Sequence, residues 1–416
     1  MKKEFLLASV LAWLDHDSRA QEATMRLLAL FREKESRDEL GIGAIRDSIA
    51  DQLFPGTSTI QTRLRYMLFV PWLYQSLEEK RVPAKNFSRQ ADLLERKLLA
   101  YLRTSEDTSG AFGKHSGNNL KRLPSAVYWA GLGRWGIRKG ETSQESYHQR
   151  IDEFYQQRQR IARKERHERD RGDDVDFDMW KSVDFWHPGL PSAPADFPEI
   201  SSFSLTREEA LFICDQIQLN CEGSLLAWLA LNSNTVDVSQ PWEHPDLLRC
   251  PPEIKELLHH ARLFSEIVHV SALSYNLQLA EKKNNPSLID AYQQRYAQWK
   301  ASVPMDDIHS WDIPAFWQQV EKPGHTITFR TRLFIERLVQ QIQHSPDSLI
   351  AGDGRKLIQQ REMELKGVRS RFTNPRALDQ WGGHAGTSRL IYRWNNARIL
   401  LRDLWVGMGA QDDVES

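Results

Sequence analysis

The sequence predicts a mainly α protein of two helical domains. Three observations lead there. Apolar residues recur at three- and four-residue spacing through most of the chain, alternating strand patterns are scarce, and a charged, proline-bearing stretch interrupts the middle. A chain of 416 residues, 40% of them hydrophobic, is long enough to bury cores without disulfide or metal staples.

Taken in order, Ala20, Ala23, Leu27 and Phe31 mark one face of a helix near 18–35, and Ile60, Leu64, Met67, Leu68 and Trp72 mark another. Thr142-x-x-Glu145 and Thr206-x-x-Glu209 read as capping boxes, in which each side chain satisfies a free N–H at a helix start. Further helices are expected near 86–103, 253–282, 287–301, 328–345 and 387–406, and His325 to Phe329 is the best short strand candidate. A charge-dense run from Arg163 to Asp178, followed by Pro188, Pro191, Pro194 and Pro198, disfavours regular structure. The expected division is a helical domain over 1–160, a linker over 161–200 and a second helical domain over 201–416.

The amino terminus pairs Lys2 and Lys3 with an apolar run from Phe5 to Leu14, as a signal peptide does. Glu4 and the break at Asp15-His16-Asp17 argue instead for a buried first strand or helix. No apolar stretch approaches the roughly 20 residues that span a bilayer. Cys214, Cys221 and Cys250 form no CxxC pair, and so sparse and odd a set suits a reducing, cytoplasmic compartment.

The formal net charge is −1, but the charge is unevenly spread. Thr108 to Gly140 holds six bases (Lys114, Lys121, Arg122, Arg134, Arg138, Lys139) and no acid, with Phe112, Tyr128, Trp129 and Trp135 among them. Leu365 to Arg402 holds eight: Lys366, Arg369, Arg371, Arg376, Arg389, Arg393, Arg398 and Arg402. Asp379 is its one acid, and Phe372, Trp381, Tyr392 and Trp394 are interleaved. Asp196 to Glu256 holds eleven acids against three bases. Convergent cations suit phosphates and aromatic rings suit stacking on bases, so both basic blocks are candidate nucleic-acid surfaces. The same cations equally suit pairing with the acidic segment inside the fold or with an acidic protein, and the aromatics equally suit a core. In the last helix Leu390, Ile391, Trp394, Ala397, Leu401, Leu404 and Trp405 form an apolar stripe. Arg389 and Arg393 flank one side of it, Arg398 and Arg402 the other.

Motifs of catalysis are missing. Asp174, Asp176 and Asp178 open like a calcium loop, but Met179 and Phe185 stand where Gly and Glu are needed. His259, His260 and His269 lack carboxylate or cysteine at ligand spacing. Gly352-Asp353-Gly354-Arg355-Lys356 lacks phosphate-loop spacing, and no nucleophile elbow, zincin or dinucleotide fingerprint occurs. No cofactor is expected. A nuclease with scattered acidic ligands is the remaining enzymatic alternative.

The most specific stretch begins at Phe31-Arg-Glu-Lys and runs through Arg37-Asp-Glu-Leu-Gly-Ile-Gly, Ile45-Arg-Asp and Leu53-Phe-Pro-Gly-Thr-Ser-Thr-Ile-Gln-Thr-Arg-Leu-Arg-Tyr. With Phe69-Val-Pro-Trp and Leu123-Pro-Ser-Ala-Val-Tyr-Trp, it resembles a bacterial family of unknown function, domain-of-unknown-function family 6361, over the whole chain. The resemblance implies a role in anti-phage defence beside helicases and nucleases, and brings no catalytic residues. Physically, Gly41 and Gly43 permit a tight turn, and Pro55-Gly56 breaks the chain before the next helix. Arg63 and Arg65 are expected to project from that helix. Short helices so separated suit a helix-turn-helix-like module as well as ordinary packing. The expected function is a non-catalytic DNA- or RNA-binding component of a defence complex, with a scaffold for an acidic protein partner as the alternative.

Overall fold

The computed structural model describes residues 38–105, 107–113, 120, 122–171, 184–234, 238–321 and 324–409. These residues are mainly helical, and among them no strand is formed beyond one isolated bridge between Arg138 and Trp186. No described helix is long and apolar enough to cross a membrane. The helix expected near 18–35, the aspartates at 174–178, and Lys114 and Lys121 lie outside the described residues.

The described residues gather into two compact units built from interleaved stretches. The first draws on residues up to Ala44, on Glu266–Trp311 and on Ile327–Arg389. The second draws on Ile45–Ser265, Asp312–Thr326 and the residues from Leu390 onward.

The second unit is organised around the helix Tyr66–Glu79. Every residue from Tyr66 to Tyr74 is buried, so this part of the helix is apolar all round and lies at the centre. The helices Ala84–Leu102 and Pro124–Arg134 pack on it. Tyr66 meets Phe69, Phe112, Tyr128 and Phe203 at ring centroid distances from 5.1 to 5.7 Å. A second layer joins Arg207–Asn220, Leu225–Asn232 and the last helix, Trp394–Met408. Thr206 and Glu209 form the expected capping box, each side chain accepting the other's backbone N–H. Pro124–Arg134 has no cap of its own at Leu123. Glu95, buried on the neighbouring helix, fills that role by accepting the Ser125 N–H at 2.8 Å and its hydroxyl at 2.6 Å.

In the first unit Phe329–His344 packs against Asp353–Lys366, joined by the short helix Ser348–Ala351. Asn276, on the long helix Pro252–Lys282, accepts the Trp381 indole N–H at 3.1 Å and donates to the Ala385 carbonyl at 2.7 Å. Tyr292, on Pro286–Ser302, donates to the Gly383 carbonyl at 2.6 Å.

Several local expectations are corrected. The helix of Leu64 to Trp72 starts only at Tyr66, and Ile60 is exposed in the turns before it. The connection from Phe54 to Arg65 is therefore far longer than the three- or four-residue turn of a helix-turn-helix unit. Ser143, not Thr142, caps the helix Gln144–Arg171, accepting the Ser146 N–H at 3.1 Å. His325 to Phe329 forms no strand, because Thr328 accepts the Thr331 N–H and starts a helix. The last helix begins at Trp394 rather than near 387. Tyr392 and Arg393 hold left-handed φ of 50° and 71°, which excludes them and the preceding Leu390 and Ile391 from it. The Tyr392 hydroxyl, bonded to the Ala261 carbonyl at 2.7 Å, helps hold that bend.

Candidate functional site

The two distinctive motifs are used for architecture. In the first unit Asp38 accepts the Ile42 and Gly43 N–H groups at 3.0 and 2.6 Å and so caps the helix Gly43–Leu53. Glu39 receives Lys366 at 3.4 Å and Arg371 at 2.9 Å, and the Leu40 carbonyl accepts the Arg361 Nε–H at 3.0 Å. Gly41, at φ 68°, lies so close to Arg361 that a Cβ there would stand 2.7 Å from its Nη2. In the second unit Arg63 and Arg65 precede the helix and do not project. Arg63 pairs with Asp403 at 3.0 Å, and Arg65, itself buried, pairs with buried Glu209 at 2.7 Å. Asp403 also accepts the Leu64 N–H at 2.8 Å, so one carboxylate fixes two residues of the turn.

Four of the expected phosphate-binding cations are spent inside the fold. Arg138 is buried over the Trp129 ring, 5.0 Å from its centroid, and burial lowers its pKa. Arg371 bonds Glu39 and the Tyr275 hydroxyl, each at 2.9 Å. Arg389 grips Glu266 with two nitrogens at 2.9 and 3.0 Å. Arg393 pairs with Asp51 at 2.6 Å and donates to the Thr57 carbonyl. Lys139 is half-buried.

Arg122, Arg134, Arg369 and Arg376 are exposed and form no ion pair among the described residues. Arg134 reaches the Asn220 carbonyl at 2.6 Å. Arg369 and Arg376 stand at the two ends of one tight turn. The Asn374 amide closes that turn onto the Val368 carbonyl at 2.8 Å, and its N–H reaches the Ser370 carbonyl at 2.9 Å. The turn has a rigid base, because fully buried Glu362 accepts the Ser370 hydroxyl and the Arg371 N–H. Of the interleaved aromatics, Tyr128, Trp129, Trp135, Phe372, Trp381, Tyr392 and Trp394 are buried, and Phe112 is half-buried with its ring 5.1 Å from that of Tyr66. Base stacking on the buried rings is therefore not available, and the exposed cations are left with phosphate contacts.

Sequence reasoning missed a second cationic surface. Between Phe329–His344 and Asp353–Lys366 runs an open groove, floored by Leu333, Phe334 and Leu357 and rimmed by Arg330 and Arg337, with Glu364 at one end and the Lys356–Asp353 pair, at 3.0 Å, at the other. Arg330 and Arg337 are exposed and meet no carboxylate among the described residues. Lying outside the dense blocks, they were legible only as two cations seven residues apart on one helix face.

Catalytic constellations are few. No group of three metal-ligating side chains occurs among the described residues. Ser233, His244 and Asp246 lie together, but His244 Nδ1 accepts the Asp246 N–H at 3.3 Å. The neutral ring then carries its proton on Nε2, facing Ser233 Oγ at 3.4 Å, where a general base needs a lone pair. His260 and His269 have pKa values lowered chiefly by burial, as has His148, down to about 4. Burial pushes all three cysteine thiols up to about 11, away from nucleophilic thiolate.

The model of a family described as a family of unknown function, DUF6361, matches residues 8–159 and 172–406. No curated protein and no solved structure matches the chain.

Proposed function

We propose that this chain, which belongs to the DUF6361 family of unknown function, is a non-catalytic nucleic-acid-binding component that grips the phosphate backbone of DNA or RNA. The observation that carries the proposal is the Arg369–Arg376 turn, with two exposed, unpaired guanidinium groups on a base locked by Glu362. Arg122 and Arg134 supply further cations on the second unit. Buried aromatics leave the reading to backbone contact with little sequence preference. In the anti-phage setting that the resemblance implies, partner proteins such as a helicase or nuclease supply energy and cleavage.

The test is titration of a labelled duplex, followed by fluorescence anisotropy, over a range of salt. With Arg369 and Arg376 on phosphates, log K falls against log salt with a slope of about −2 or steeper. Arg369→Glu with Arg376→Glu flattens that slope by roughly 2 while the melting temperature holds. Affinity that ignores salt, or no binding at low salt, removes the proposal.

A further inference from the structure

The helix Arg207–Asn220 buries one face within the second unit, through Ala210, Ile213, Cys214 and Ile217. Its other face is an exposed ridge on which acids and leucines alternate. Glu208, Leu211, Asp215 and Leu219 stand on it, and Glu222 continues it just past the helix end. These positions fall at i, i+3, i+7, i+11 and i+14, which is a single helical stripe. Leu219 is 74% exposed and Leu211 41%, so the apolar part of the stripe is unpartnered. The segment from Asp196 to Glu256 is also the most acidic in the sequence.

The groove in the first unit carries the complementary pattern. Arg330, Leu333, Arg337 and Gln340 fall at i, i+3, i+7 and i+10 along Phe329–His344, and Leu357 of the facing helix completes the apolar floor. Arg330 and Arg337 are seven residues apart, about 10.5 Å along the axis, and Glu208 and Asp215 share that separation.

We propose that the acidic ridge of one copy of this protein lies in the cationic groove of a second copy. Glu208 then meets Arg330 and Asp215 meets Arg337, while Leu211 covers the floor at Leu333. The same register places the ends correctly. Arg207, beside Glu208, comes to the end of the groove that Arg330 and Glu364 line, and Glu222 comes to the end where Lys356, paired with Asp353 at 3.0 Å, lies. Nucleic acid suits the groove less well, because a phosphate backbone offers nothing to bury its leucines or those of the ridge. The surfaces differ, so the contact is heterologous and links copies head to tail into a ring or an open filament. It does not use Arg369 or Arg376, and stands apart from nucleic-acid binding.

Sedimentation velocity of the full chain over a range of concentrations tests this. The wild type shows mass rising with concentration, and high salt weakens the association by about tenfold. Two variants follow: Arg330→Glu with Arg337→Glu, and Glu208→Arg with Asp215→Arg. Each is a monomer alone, and an equimolar mixture assembles again, because each reversed surface meets a complementary one on the other variant. Melting curves establish that both are folded. A wild type that stays monomeric at every concentration overturns the proposal, including the case in which the groove holds an acidic protein of another kind. Assembly that survives either reversal overturns it too, as does a mixture that stays monomeric while both variants melt like the wild type.

Discussion

Arg389 and Arg393 stand in a long, nearly acid-free basic block of the sequence, and each ends on a carboxylate. Arg330 and Arg337 stand outside that block, on a helix whose Glu336 is taken by Arg332 at 3.0 Å, and they reach no carboxylate among the described residues. The carboxylates that take the first pair are remote in sequence. Glu266 lies 123 residues from Arg389, and Asp51 lies 342 residues from Arg393. Linear charge density thus measures how many cations a segment has, and says little about how many the fold leaves unpaired. Arg371, Arg389 and Arg393 pair with Glu39, Glu266 and Asp51, all outside the acid-rich segment Asp196–Glu256, so the nearness of acids in the sequence does not choose the partners either.

The largest effect expected on the first side of this contrast is structural. Trp394, fully buried, packs at 5.8 Å from the Phe54 ring and donates its indole N–H to the Val238 carbonyl at 2.9 Å. Trp394→Ala leaves a cavity and takes from the Val238 carbonyl its shorter bond, leaving only Arg398 at 3.4 Å, and lowers unfolding free energy by about 3–5 kcal/mol in urea denaturation. A loss below about 1 kcal/mol shows that the block's aromatics are not the anchors that hold its arginines in place.

A second prediction concerns Glu95, buried and bonded twice to Ser125. Burial outweighs those bonds and raises its pKa from 4.5 to about 7. With the folded value above the unfolded one, its contribution to stability is full below about pH 4.5 and is lost as pH rises through about 7. Wild type therefore loses roughly 2–3 kcal/mol from this group between pH 5 and pH 8.5. Glu95→Gln, which cannot ionise, removes that part of the pH dependence, and denaturation at the two pH values reads the difference. Equal slopes in the two proteins place the ionised carboxylate in a better-solvated site than its burial indicates.

The helical periodicities were legible because a buried face repeats at a fixed spacing wherever its partner lies. The helices expected near 86–103 and 328–345 form as Ala84–Leu102 and Phe329–His344, with Leu98, Leu99 and Leu102 buried on the first and Phe334, Leu338 and Ile342 on the second. Where side chains compete for the same backbone group the sequence was ambiguous: Thr142 and Ser143 stand side by side, and only Ser143 reaches the free N–H. Ile60 and Leu64 keep helical spacing with Met67, Leu68 and Trp72 and so read as the start of that helix, although bonds from Gln61, Thr62 and Tyr128 fix the stretch before Tyr66 otherwise. Of the candidate site, the cation types were legible and their fates were not, since each depended on a carboxylate or carbonyl from another stretch of chain.

Charge reversal separates the two arginine pairs at intermediate scale. Arg389→Glu sets a second carboxylate against Glu266, which keeps only the Trp299 indole N–H at 3.1 Å. Arg389 is about a third exposed, so solvent screens part of the loss, and the expected destabilisation is about 1–2 kcal/mol. Thermal unfolding at low salt reads it, and the deficit shrinks as salt is added. A neutral result makes the bidentate contact incidental.

The smallest effect is the one that most sharpens the contrast. Arg330 and Arg337 hold no carboxylate, and their reversal to Glu removes no described bond. Surface changes of this kind stay within about 0.5 kcal/mol, so the melting temperature of the doubly reversed protein matches the wild type closely. Glu364 lies in the same groove and Asp353 already pairs with Lys356 at 3.0 Å, so new glutamates meet some repulsion at both ends. That repulsion is screened at ordinary salt and keeps any loss at the low end of the range. A near-silent melt, set beside the loss from Arg389→Glu, separates cations used to build the fold from cations left for a partner. If the double reversal instead destabilises as much as Arg389→Glu does, the groove arginines are paired in solution, and both pairs belong to the fold.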